Sequence, residues 1–513
     1  MSGPHLATPR RGLVVFSAVL SSAMYAVDTT IANVALPRMQ ASMSASQEQI
    51  LWVITSYMIA GAIATPLAGW LANRFGRRGI LLASVGGFTL ASIGCGLASD
   101  LFTAVIARAI QGAAGAAMMP LGQAAVLDVT APEDQARTMS ILGLGMMFGP
   151  LIGPTLGGWL TEALNWRWVY FINVPIGIAS FLGMAASLPR DEHQPALRFD
   201  MFGFVALSVF LASFQLMLDR GQHLDWFDSR EIWVYAILMA LCLYLLLVHI
   251  FTARDTFVRP ALFTDRNFTL GCVMSAGVGV IAFGTIPVTT VMMQTMLGYP
   301  PLLTGIISSP RSVGTLISML LVARLAGRVE NRTFIVAGLA SNALGLYMLA
   351  RISLQVDQAY LLWAGLFQGL GSGLMFPPLM TIVFTTLSPA LRNEGASMFM
   401  LTRSMGASLG IAWLQTDLVR NTATVQSRLA EGVRPDSPAV QFALPDFDPG
   451  VLSTLGETYG EMLRQAAMVA YVDAYWFTFL IALVMIPVVM LMRSPARSSA
   501  GADGDSKSPI VME

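Results

Sequence analysis

Fourteen times along its 513 residues the chain passes through about twenty predominantly apolar residues in succession, and no other feature limits its fold as strongly. A bilayer core is about 30 Å thick, which an α-helix crosses in roughly 20 residues. A backbone surrounded by lipid must also satisfy its own hydrogen bonds, as a helix does. Each run therefore predicts a transmembrane helix. The runs lie near residues 13–36, 50–72, 79–98, 101–123, 138–160, 167–188, 201–219, 232–252, 268–292, 303–323, 333–351, 359–384, 396–416 and 471–492. Only 12% of the residues are charged, about half the roughly 25% of a soluble domain. That is too little charge to cover a water-facing surface. The expected fold class is an all-α integral membrane protein.

The first run has no small-residue cleavage site and is expected to remain as the first helix. An even number of crossings puts both termini on one side. Arginine in the short loops sets that side, because cytoplasmic loops carry the excess. With the N-terminus inside, the inner loops receive 17 arginines, among them Arg10, Arg11, Arg74, Arg77, Arg78, Arg324, Arg328 and Arg332. The outer short loops receive Arg38, Arg167, Arg220, Arg230 and Arg351. Both termini are expected in the cytoplasm. A polar stretch near 417–470, with Pro435, Pro438, Pro445 and Pro449, reads as one long outer loop. The Ser/Gly/Asp-rich tail 496–513 reads as disordered.

An internal repeat organises the chain. Gln111-Gly112 through Pro120 matches Gln368-Gly369 through Pro377 at an offset of 257 residues. Pro132/Pro389, Gly149/Gly406 and Gly153/Gly410 share that offset, and Leu71 to Arg74 matches Leu325 to Arg328 nearly so. Two six-helix halves follow, residues 1–195 and 263–495, with a two-helix insertion at 196–262. Duplicated halves around a midplane site are a transporter architecture.

Net charge is zero, which gives no argument for nucleic acid. Cys95, Cys242 and Cys272 fall in apolar runs without metal or disulfide spacing, and the four histidines are scattered. No metal or cofactor is expected. Gly406-Ala-Ser408-Leu-Gly410 fits a nucleophile-elbow pattern but lies in a continuous apolar helix, so hydrolase chemistry is rejected.

Polar groups inside the runs are the candidates for function, since a charge in lipid costs about 2.5–3.5 kcal/mol on insertion scales. In the first run, Asp28 precedes Asn33 and Pro37. Desolvation favours its neutral form, which suits reversible protonation. In the fourth, Arg108, Gln111, Gly112 and Gly115 share one helix face. In the fifth, Gly145, Gly149, Gly153 and Gly157 give a bare face for close helix contact. Pro150 and Pro154 there remove backbone hydrogen bonds, so this helix reads as a pivot. After the second run, Gly69, Asn73, Arg74, Gly76, Arg77 and Arg78 suggest a tight turn holding charges against neighbouring helix ends. Asp28 and Arg108 are the candidates for proton coupling, and the other residues for cavity lining and helix packing.

These strings resemble those of the fourteen-helix drug:proton antiporters of the major facilitator superfamily, the EmrB/QacA type. The resemblance spans nearly all of residues 13–495. It rests on Asp28 to Pro37, Trp52 to Tyr57, the loop after the second helix, Arg108 with Gln111-Gly112, the Gly-Pro motif of the fifth helix, and Trp166 to Gly177. Leu218 to Phe227, Arg266 to Cys272 and the outer stretch resemble the EmrB branch of Gram-negative inner membranes. The resemblance implies export of lipophilic small molecules against protons, across the bacterial inner membrane. It also implies a periplasmic membrane fusion protein and an outer-membrane channel as partners. Asn73 stands where much of the superfamily has aspartate, so a charge relay through that loop is not expected. The alternatives are a dedicated exporter of one metabolite or siderophore-like acid and, less in keeping with Asp28 and Arg108, a non-transporting sensor or scaffold.

Overall fold

Long apolar runs leave the backbone no partner but itself, and the chain folds as helices almost throughout. The computed structural model describes residues 11–492 apart from 131–134, 189–198, 223, 254, 255, 257, 326, 327, 388–390 and 433–451. The first part of the chain forms α1 (Arg11–Ser42), α2 (Gln47–Phe75), α3 (Arg77–Leu97), α4 (Leu101–Gly115), α5 (Met118–Asp128), α6 (Gln135–Ala163), α7 (Trp168–Phe171) and α8 (Asn173–Ser187). Two helices follow, α9 (Met201–Gly221) and α10 (Arg230–Thr252). The remainder forms α11 (Ala261–Thr264), α12 (Arg266–Val278), α13 (Gly284–Thr295), α14 (Pro301–Leu325), α15 (Asn331–Leu349), α16 (Gln358–Thr385), α17 (Arg392–Gly432) and α18 (Leu452–Leu491). Among the described residues, 12 helical segments are long and apolar enough to cross a membrane. The fifth and thirteenth apolar runs also form long helices, α6 and α17, but are not among those 12.

Three runs are broken where uniform apolarity gave no warning. The fourth turns at Ala116–Ala117 between α4 and α5, and the sixth divides into α7 and α8. In the ninth, Gly279–Phe283 forms a π-helical turn between α12 and α13, a feature found often at functional sites. The stretch near 417–470, expected as a loop, is largely helical: α17 runs on to Gly432 and α18 begins at Leu452. Asn421 Nδ2 donates to Asp473 Oδ2 at 2.6 Å and Gln426 Nε2 to the Tyr459 hydroxyl at 3.1 Å, tying the two extensions together. The tail 496–513 lies outside the described residues.

Buried apolar residues cluster along the chain. Those of α1–α8 form two adjoining cores, around Phe88 and Met118 and around Ile31 and Tyr170. Those of α11–α18 form one, around Phe268, Phe399 and Tyr475. Helices α9 and α10 share a small core with Leu401 of α17. His249 Nε2 on α10 meets both oxygens of Asp200, the N-cap of α9, at 2.9 Å. At the other end of α9, Asp219 accepts from Thr55 Oγ1 of α2 at 2.6 Å.

The sequence repeat is also a repeat of packing. A Cβ on Gly112 would strike the Tyr57 carbonyl of α2, and one on Gly369 would strike the Arg311 carbonyl of α14. Likewise Gly149 abuts Ala26 of α1, and Gly406 abuts Ala276 of α12. Equivalent glycines thus admit equivalent partner backbones.

Candidate functional site

Asp28 sits on α1 with no exposed surface, and Arg108 on α4 is 2% exposed. An unpaired charge of either sign is costly there, and each group answers the other: Arg108 Nη1 donates to Asp28 Oδ2 at 2.8 Å. The other carboxylate oxygen, Oδ1, accepts from Gln111 Nε2 at 2.9 Å and from Asn173 Nδ2 at 2.7 Å. Gln111 lies one helical turn beyond Arg108 and binds it too, its Oε1 accepting from Nη1 at 2.6 Å. Ser92 Oγ on α3 accepts from Gln111 Nε2 at 2.7 Å and from Asn173 Nδ2 at 3.4 Å. Arg108 Nε donates to the Val53 carbonyl of α2 at 3.3 Å. The Tyr57 ring lies 4.1 Å from the guanidinium carbon and the Tyr170 ring 5.5 Å, distances at which an aromatic face stabilises a cation. Helices α1, α2, α3, α4, α7 and α8 all feed this cluster.

Two amide donors and the guanidinium hold the ionised carboxylate. Asn173 Oδ1 is buried without a partner among the described residues. Turning its amide over would set an acceptor where a donor now points, which is what a protonated Asp28 requires.

Gly145, Gly149, Gly153 and Gly157 of α6 all press on α1. Their Cβ positions meet Val19, Ala26, Thr30 and Ile31 respectively. Thr30 Oγ1 also donates to the Gly149 carbonyl at 2.9 Å. The bare face of α6 therefore holds the helix that carries Asp28, with contacts on either side of it. Gly112 admits the α2 backbone, and a Cβ on Gly115 would meet the rings of Phe88 and Tyr25 at 3.0 Å. After α2, Gly76 adopts a φ of +88°, a conformation that favours glycine, and turns the chain directly into α3. Arg74 stacks on Trp70 at 5.1 Å, and Arg78 Nη2 donates to the Ala185 carbonyl near the end of α8 at 2.7 Å. Arg77 adjoins Gly76 as the first residue of α3, while a Cβ on Gly69 would sit 3.9 Å from Ser397 Oγ of α17. The side chains of Asn33, Asn73, Pro150 and Pro154 lie outside the described residues.

A family model described as Major Facilitator Superfamily matches residues 18–411. The chain belongs to the major facilitator superfamily. It is 30% identical over 500 residues to the multidrug export protein EmrB of Escherichia coli (strain K12), covering 96% of this chain and 98% of that one. It is 29% identical over 494 residues to the fatty acid resistance protein FarB of Neisseria gonorrhoeae, covering 96% of each. Among solved structures, an inward-facing, unoccupied bacterial homolog of the human lysosomal transporter Spinster matches with TM-score 0.55 and 18% identity, over 95% of this chain and 99% of that one. It shares the fold. The chain is a multi-pass membrane protein with a transporter's fold.

The two sides of the sequence repeat are not chemically equal here. Gln368 stands where the repeat places Gln111, but its Nε2 is buried without a partner among the described residues. The packing repeat puts Val278 opposite Asp28, so the second half holds no carboxylate at that place. It holds two arginines instead, which sequence reasoning passed over. Arg311 Nη2 donates to the Ala282 carbonyl in the π-helical turn at 2.6 Å. Arg403 on α17 lies over the rings of Phe376 and Phe283. Their signal was the one that singled out Arg108, an arginine deep in an apolar run. Asn173 and Ser92 carried no such signal, because small polar residues are common in membrane helices.

Proposed function

We propose that this chain is a proton-coupled antiporter that exports hydrophobic and amphipathic small molecules across a bacterial inner membrane. The observation that carries the reading is the enclosed carboxylate of Asp28, held by Arg108, Gln111 and Asn173. Protonation removes the charge that Arg108 neutralises and weakens the link between α1 and α4. Because α6 grips α1 on both sides of Asp28, a loosened α1 frees the pair to rock against the rest of its half. Deprotonation on the other side restores the tie. The membrane potential adds about 2.3 kcal/mol per charge per 100 mV to any net charge moved. The relatives named for multidrug export support lipophilic cargo.

Fourteen crossings with both termini inside fit the arginine bias. The two halves then comprise residues 1–195 and 263–495, with α9 and α10 inserted. The helical extensions past the outer face, roughly 20 Å long for α17 at 1.5 Å per residue, offer a post for a periplasmic membrane fusion protein linked to an outer-membrane channel. Trp226 folds back on Gly221, its ring 3.0 Å from where a Cβ would be. Phe227 is exposed beside it and is the better contact residue.

Everted vesicles from a pump-deficient host test the reading. Adding a transported lipophilic compound to respiring vesicles should discharge part of the pH gradient only where the chain is expressed. A chemically diverse panel that discharges nothing would sink it.

A further inference from the structure

We propose that Arg403 is the recognition site for the anionic head of the substrate, and hence that the preferred cargo is a lipophilic carboxylate or similar weak acid. The inference rests on the export reading above and deepens it. Eleven residues separate Arg403 from the start of α17 at Arg392, which is about 16 Å along a helix. That places Arg403 near the middle of a bilayer core about 30 Å thick, where an ionisable side chain marks a substrate or ion path.

The two other arginines deep in the fold are occupied. Arg108 is bonded to Asp28 and Gln111, and Arg311 to Ala282 of the π-helical turn and to Thr285 of α13. Arg403 makes no hydrogen bond or ion pair with any described residue. Its guanidinium carbon lies 5.0 Å from the Phe376 ring centroid and 5.7 Å from that of Phe283. Aromatic faces steady a cation at this distance without satisfying its five donors. Helix α17, which carries Arg403, packs against α2 as well as α12, and so lies at the seam between the two halves. Arg403 is half-buried there.

The sign of the cargo follows. Asp28, the carboxylate that could have received a cation, is fully enclosed and already neutralised. A cation entering the seam meets the positive charge of Arg403, which no described carboxylate approaches within ion-pair distance. An anion meets a planar fork that pairs with a carboxylate through two parallel bonds. Phe376 and Phe283 then lie alongside the apolar body attached to that head.

The test uses purified full-length protein in lipid nanodiscs and three probes with one body: 4-(1-pyrenyl)butyrate, 4-(1-pyrenyl)butanol and 4-(1-pyrenyl)butylamine. Binding is measured by equilibrium dialysis against empty nanodiscs. Wild type should bind the carboxylate at least tenfold more tightly than the alcohol or the amine. Arg403→Gln should erase that preference and leave alcohol binding unchanged, and Arg403→Lys should keep part of it. A preference that survives Arg403→Gln overturns the proposal, as does a wild-type protein that favours the amine or shows no preference. That wild-type comparison decides the matter even if the glutamine variant does not fold. Pumping is scored separately: protein that binds the carboxylate through Arg403 but moves no probe under an imposed pH gradient contradicts the export reading and leaves the site standing.

Discussion

Removing the guanidinium of Arg108 would leave the Asp28 carboxylate enclosed, with only the amides of Gln111 and Asn173 to hold it. Breaking a buried pair from one side typically costs about 3–5 kcal/mol, because the remaining charge is uncompensated. Arg108→Gln should therefore lower the thermal midpoint markedly, while Arg108→Gln with Asp28→Asn should recover much of the loss. Recovery reports the pair, and its absence would assign Arg108 a separate structural duty. Lysine is a different case. It keeps the charge but cannot reach Val53, Asp28 and Gln111 together with one planar fork. Arg108→Lys should fold, yet lose most transport. Asp28 and Arg108 were legible in the sequence because a charge in an apolar run is conspicuous. That they bind each other was not, since 80 residues separate them and nothing local aligns them.

The contact between α1 and α6 depends on absent side chains. At Gly149 a single methyl group would strike the carbonyl and Cβ of Ala26, whereas nothing lies within 4 Å of a Cβ on Gly158. Packed interiors resist added volume. Gly149→Ala should thus destabilise the protein and slow export, and Gly158→Ala should match wild type in both. Equal behaviour of the two variants, read by thermal unfolding in detergent, would contradict the pivot assignment. The glycine spacing announced a close contact but not its partner, because every apolar helix offers a similar surface. Helix interruptions were hidden for a related reason. Between α4 and α5, and through the π-helical turn at Gly279–Phe283, the residues stay apolar while the hydrogen-bond pattern changes. The stretch near 417–470 differs in the opposite direction: its polarity suggests a loop, yet both extensions are helices joined by Asn421–Asp473 and Gln426–Tyr459.

On the proposed reading the two halves divide the labour: the first carries the Asp28 carboxylate that would bind the proton, and the second presents Arg403 to the substrate. The repeat in sequence foretold the shared packing, as Gly112 and Gly369 show, but equal backbones did not imply equal chemistry. Beyond the membrane, the helical extensions are the candidate post for the proposed fusion protein. Replacing residues 425–460 with a short Gly/Ser linker should abolish copurification with that protein while leaving substrate binding in detergent intact. Copurification that survives both this change and Phe227→Ala would put the docking surface elsewhere. The coupling role of Asp28 is tested most directly in proteoliposomes under an imposed pH gradient, comparing wild type with Asp28→Asn at equal reconstituted amounts. Substrate should accumulate against its gradient with wild type and show no pH-driven movement with Asp28→Asn, although that variant inserts and binds substrate; pH-driven accumulation by Asp28→Asn at the wild-type rate would contradict the account.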